Sequence, residues 1–161
     1  MPGIFEITYS DVERLTDIQL TSLLIKLLYS EAGKNGIYAN AVGGSLNITV
    51  GDGGEDAHIR WVGGVERTDW FPNRYTLFQC KATNMPPATC KKEFLYKDGI
   101  KLKPQVENVL NTGGTYILFY SKGLNDSQIT PRINKFREAL REAGKGYADT
   151  ADIQIYDANK I

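Results

Sequence analysis

Two periods of apolar residues run along the chain in turn. Leu20, Leu23, Leu24, Leu27 and Leu28 recur at helical spacing, which predicts an amphipathic helix with one stripe on a core. Thr16-Asp-Ile-Gln19 forms a capping box at its start, Ser10-Asp-Val-Glu13 forms another on a short turn before it, and Gly33 and Gly36 end it. Glu31 continues the stripe, so it either turns its head to solvent from the last turn or aims it inward as a ligand. The period then becomes two. After a linker over Ala39 to Gly44, Leu46, Ile48 and Val50 alternate with Asn47 and Thr49, as in a half-buried strand. Asp52-Gly-Gly turns the chain into a second strand, Ala57 to Val62, and a loop leads to a third, Tyr75 to Ala82. These three strands predict an antiparallel meander from Ser45 to Ala82. Trp61, Trp70 and Phe71, in or near that loop, either cover the sheet edge or meet a nucleobase.

Met85-Pro-Pro-Ala then breaks the chain. Thr89 to Leu95 predicts a helix that exposes Lys91 and Lys92, and Pro104 to Asn111 a second one closed by Gly113-Gly114. Tyr116 to Tyr120 is a continuous apolar run, the pattern of a central strand covered on both faces. Ser127 to Ala143 predicts a helix with Pro131 in its first turn, and Gly144 stops it. Asp152 to Tyr156 is a last strand. Asp157 to Ile161 has the form of an N-cap and first turn that do not continue. That ending suggests residues 1–161 are a single domain excised from the amino terminus of a longer protein. The order of elements predicts an α/β sandwich, a mixed central sheet of about five strands flanked by helices.

A length of 161 residues suits one domain with a substantial core, and 19 basic against 19 acidic residues suit a soluble globular protein. No apolar run approaches a membrane span, and Met-Pro-Gly-Ile-Phe-Glu does not form a signal peptide. The expected location is the cytoplasm, where the two cysteines, Cys80 and Cys90, do not pair. His58 is the only histidine, which argues against a zinc site or a histidine-based hydrolase. The neutral balance conceals a polarity. Acids dominate from Met1 to Asp56, whereas Lys81, Lys91, Lys92, Lys97, Lys101 and Lys103 outnumber Glu93 and Asp98 further on. A local basic face of that kind attracts a polyanion.

The chemistry concentrates between Gly51 and Lys81. Asp56 stands at the mouth of the second strand, and Gln79-Cys-Lys81 ends the third. Side-chain alternation puts Gln79 and Lys81 on the face of Leu77, and Phe78 and Cys80 on the other. An acid and an amide oxygen suit a hard cation, and an adjacent lysine can orient a water and offset charge building on a phosphorane. The plainer roles are a turn acid for Asp56, a buried hydrogen-bond partner for Gln79 and a carboxylate partner for Lys81.

Glu31 in the first helix, Gly53-Gly-Glu-Asp56 before the second strand and Gln79-Cys-Lys81 in the third together resemble the PD-(D/E)XK nuclease superfamily. The Mrr-type restriction endonuclease branch is most similar, and within it the amino-terminal nuclease domains of large anti-phage defence NTPases. The resemblance spans roughly Leu20 to Ile155. It implies a restriction-endonuclease-like sandwich and a Mg²⁺-dependent (or Mn²⁺-dependent) endonuclease. Its metal would be held by Asp56, Gln79 and the Cys80 carbonyl, with Glu31 acting through water and Lys81 positioning the nucleophile. Lys91 and Lys92 would contact the nucleic acid, DNA first and RNA left open. Homo-oligomers are expected when the domain is part of its full-length protein. Gln79 stands where the superfamily usually has a second acid, and Thr21 and Ser22 where the branch has a helix acid. The rival class is a catalytically inactive nucleic-acid-binding or assembly module.

Overall fold

The computed structural model describes residues 6–44, 56–96 and 98–161. Two helices come first, α1 (Tyr9–Glu13) and α2 (Asp17–Lys34), followed by a 3-10 turn (Ala39–Ala41) and strands β1 (Val42–Gly44), β2 (Ala57–Arg60) and β3 (Tyr75–Lys81). Next are α3 (Pro87–Phe94), α4 (Pro104–Asn111), β4 (Thr115–Tyr120), α5 (Asp126–Glu142) and β5 (Asp152–Tyr156). The five strands form one sheet in the order β1-β2-β3-β4-β5. β1, β2 and β3 pair antiparallel, whereas β3, β4 and β5 pair parallel. The protein is therefore the α/β sandwich that the pattern predicts, a mixed five-stranded sheet between helices.

The periodicities explain the layers. Leu20, Leu24 and Leu28 are fully buried along α2 and pack with Ala57, Ile59, Phe78, Ile117 and Phe119 on one face of the sheet. The opposite face buries Leu77, Tyr116 and Leu118 with Phe94 of α3, Val106 and Val109 of α4 and Phe136 of α5. Every residue of β4 is buried, as expected of a parallel strand covered on both sides. Among the described residues no helix is long and apolar enough to cross a membrane.

Several local expectations shift. The capping box of α1 joins Thr8 to Asp11, not Ser10 to Glu13, whereas Thr16 and Gln19 cap α2 as expected. Ala39 to Gly44, expected as a linker, holds the 3-10 turn and β1, because β1 finds backbone partners in β2 that a local pattern cannot show. The expected strand over Leu46 to Val50 and the Asp52-Gly-Gly turn lie outside the described residues. Pro131 falls in the second turn of α5, since the Asn125 side chain, accepting from Gln128 N–H, starts that helix earlier. Asp157 opens the expected single turn, its carbonyl accepting from Lys160 and Ile161 N–H at 3.0 and 3.1 Å, but its buried carboxylate accepts from Leu124 N–H at 2.7 Å instead of capping that turn.

α1 is docked from far along the chain. Lys122 Nζ donates to Glu13 O at 2.7 Å, and Gly123 N–H donates to the Glu13 carboxylate at 3.3 Å. A Cβ on Gly123 would lie 2.1 Å from the Tyr9 hydroxyl, so a larger residue there would push the Tyr9 ring aside.

Candidate active-site edge

The described part of the β2–β3 ladder ends at Asp56. Its N–H donates to Phe78 O at 3.0 Å, and its Oδ2 accepts from Cys80 N–H at 2.6 Å, replacing the next backbone acceptor. The acid of β2 and the Gln-Cys-Lys of β3 therefore share one sheet edge. In a strand a residue's carbonyl points to the same neighbour as its N–H, so the Cys80 carbonyl is directed to the side of the Asp56 carboxylate. The charge of Asp56 reaches both faces. With burial as the larger cause, it raises the Cys80 thiol on the α2 face and contributes to raising the Tyr116 phenol on the other.

Gln79 and Lys81 lie on the α3 side, as alternation requires, and both are engaged. Gln79 Oε1 accepts from the Tyr116 hydroxyl at 2.5 Å, and its Nε2 donates to Glu93 Oε2 at 2.7 Å. Burial, then the Glu93 charge, raises the Tyr116 phenol, which keeps it a donor. The Lys81 ammonium pairs with Glu93 Oε1 at 2.9 Å, and Lys103 approaches Glu93 Oε2 at 3.6 Å. The plainer roles of both β3 residues are thus fulfilled, and one carboxylate from α3 serves both. Sequence reasoning missed Glu93, which it counted only as a minority charge among lysines. The available signal was that Glu93 is, with Asp98, one of few acids in a lysine-rich stretch. Tyr116 was hidden in an apolar run, and Lys103 was one basic residue among several.

Glu31 does not join this edge. It is buried on α2, on the opposite face, and no hydrogen bond reaches its carboxylate among the described residues. The α2 acid beside β3 is Asp17, whose Oδ1 accepts from Ala82 N–H at 2.8 Å. Glu31 lies fourteen residues beyond it, about 21 Å along the helix. The stripe left open whether Glu31 faces solvent or the core; the structure buries it, at the end of the helix away from the site. Lys91, expected exposed, pairs with Glu138 at 3.3 Å and Glu142 at 2.6 Å on α5, whereas Lys92 is exposed. Of the loop aromatics, Phe71 is fully buried, Trp61 donates through Nε1 to Val65 O, and Trp70 packs edge-on against Tyr156.

The oxygens at the edge suit a hard divalent cation in part. Asp56 is a carboxylate, the Cys80 carbonyl is directed to its side, and Gln79 Oε1 keeps a second lone pair beyond its bond from Tyr116. Among the described residues no three acidic, cysteine or histidine side chains converge on one point. Such a donor set suits Mg²⁺, which keeps several waters and takes one or two carboxylates together with substrate phosphate. Comparison with family models, curated proteins and solved structures returned no match.

Proposed function

We propose that this chain is a metal-dependent endonuclease domain that hydrolyses DNA phosphodiester bonds. The observation that carries the reading is the bond from Cys80 N–H to Asp56 Oδ2, which sets the acid of β2 against the Gln-Cys-Lys of β3. Asp56, the Cys80 carbonyl and Gln79 Oε1 would hold Mg²⁺ or Mn²⁺. When bound, the ion supplies positive charge to phosphate oxygens and a more acidic water. Lys81 would orient an attacking water and offset charge building on the phosphate. In the free protein Glu93 pairs with the Lys81 ammonium, and Tyr116 fixes the Gln79 amide. Exposed Lys92 is left to contact the nucleic-acid backbone. The resemblance of the motif extends the proposal to the effector part of a restriction or anti-phage system in the cytoplasm, assembled from like subunits.

Nicking of supercoiled plasmid in Mg²⁺ or Mn²⁺, set against EDTA, tests the reading. Asp56→Asn keeps an oxygen for Cys80 N–H while removing the charge, so cleavage is expected to vanish and the fold to remain. Cleavage at the wild-type rate by this variant, or in EDTA, sinks the assignment. The second reading, a binding or assembly module without catalysis, draws on the full engagement of Gln79 and Lys81 by Tyr116 and Glu93. It prevails if the protein binds DNA and never cuts it in any metal.

A further inference from the structure

We propose that Lys81, Lys103 and the Gln79 amide form a phosphate seat, which Glu93 fills with its own carboxylate in the free protein. A nucleic-acid phosphodiester is the ligand that displaces it. The inference rests on the phosphodiesterase reading of this edge and adds Lys103 and Glu93 to it.

Three donors, two from the end of β3 and one from the start of α4, converge on one carboxylate: Gln79 Nε2 at 2.7 Å, Lys81 Nζ at 2.9 Å and Lys103 Nζ at 3.6 Å. A structural ion pair needs a single cation. Here two ammonium groups and an amide N–H surround one negative charge, which leaves the cluster with a net positive charge. A phosphodiester, like a carboxylate, carries one negative charge shared by two unesterified oxygens, so it satisfies the same donors. The cluster is also reachable. The side chains of Lys81, Lys103 and Glu93 are 28%, 24% and 15% exposed, enough to admit a ligand and shielded enough to limit screening by salt. Glu93 sits in the last turn of α3 on a flexible side chain that can swing away. Lys91 offers no such seat, because Glu138 and Glu142 both bind it.

The test is binding of a DNA duplex with hydroxyl ends in EDTA, measured by fluorescence anisotropy. Glu93→Gln removes the internal competitor, and the duplex is expected to bind about tenfold more tightly, the size of one charged hydrogen-bonding partner. Lys103→Ala is expected to weaken binding and to make the slope of log affinity against log salt shallower by about 0.9. Glu93→Gln leaves two lysines uncompensated, so its folding is followed by thermal melts with and without inorganic phosphate. Phosphate is expected to raise its Tm and to leave that of the wild type unchanged. Wild-type or weaker duplex binding by Glu93→Gln, or equal phosphate shifts in both proteins, overturns the seat and makes Glu93 only an orienting partner of Lys81. The two readings fail separately. A wild type that never cuts, with these binding differences intact, removes the nuclease and keeps the seat. A wild type that cuts without any gain in Glu93→Gln does the reverse.

Discussion

The two faces of the central sheet are made from the same strands and serve different ends. On the α2 side, Phe78, Ile117 and Phe119 meet a leucine stripe, and Phe78 is flanked edge-on by Phe71 at 6.4 Å and Tyr156 at 6.3 Å. This face is almost wholly apolar toward its centre, and its stability comes from excluded water and close packing. On the α3 side, the same strand β3 presents Gln79 and Lys81, and the core opens at its margin into a chain of polar bonds through Tyr116 and Glu93. Such a chain persists in a low-dielectric setting only when each member has a partner. Alternation along one strand therefore divides the side chains, with Phe78 in the apolar layer and its neighbours Gln79 and Lys81 in the polar chain.

The contrast can be broken from either side. Phe78→Ala, on the apolar face, is expected to cost about 3–5 kcal/mol in urea unfolding, with the cleavage rate of the folded fraction kept. A cost below about 1 kcal/mol would mean that this face is not tightly packed. Lys81→Ala, on the polar face, reverses the pattern. Cleavage is expected to fall about a hundredfold, while DNA affinity in Ca²⁺ changes only modestly and Glu93 keeps Lys103 and Gln79 as partners. Affinity that collapses with activity would make Lys81 a phosphate anchor first.

The smallest effect comes from the thiols, one on each face. Burial raises both, and Cys90, on the α3 side, rises from 9.0 to about 11. The folded protein then holds this proton more tightly than the unfolded chain does. The contribution to stability is full below pH 9 and is lost as pH climbs through about 11. Unfolding measured from pH 8 to pH 11 is expected to show a steeper loss in the wild type than in Cys90→Ala. Parallel curves would remove Cys90 as the cause.

Much of this organisation was legible in the sequence. Period-two alternation assigned Gln79 and Phe78 to opposite faces, and the helical leucine stripe found the buried side of α2. Alternation is local and survives any tertiary context. Which end of α2 meets the site depends on how the helix lies across the sheet, and so Asp17 rather than Glu31 reaches Ala82. The partners of Gln79 and Lys81 come from 14 and 37 residues away for Glu93 and Tyr116, respectively, in the case of Gln79. Pairings at such distances leave no periodic trace. The exposure of Lys91 failed for a similar reason, since its acids belong to α5.

The docking of α1 has a consequence for the order of events during synthesis. Its capping box joins residues three apart and can close as soon as they leave the ribosome. The helix has no seat, however, until Gly123 follows, because Glu13 and Gly123 are 110 residues apart. β3 likewise waits for its parallel neighbour β4, which arrives only after two intervening helices. Contacts of such long span close late and slowly. The nascent chain therefore carries the Asp56 and Gln79-Cys-Lys81 segments for an interval before Glu93, and later Tyr116, arrive to complete the edge.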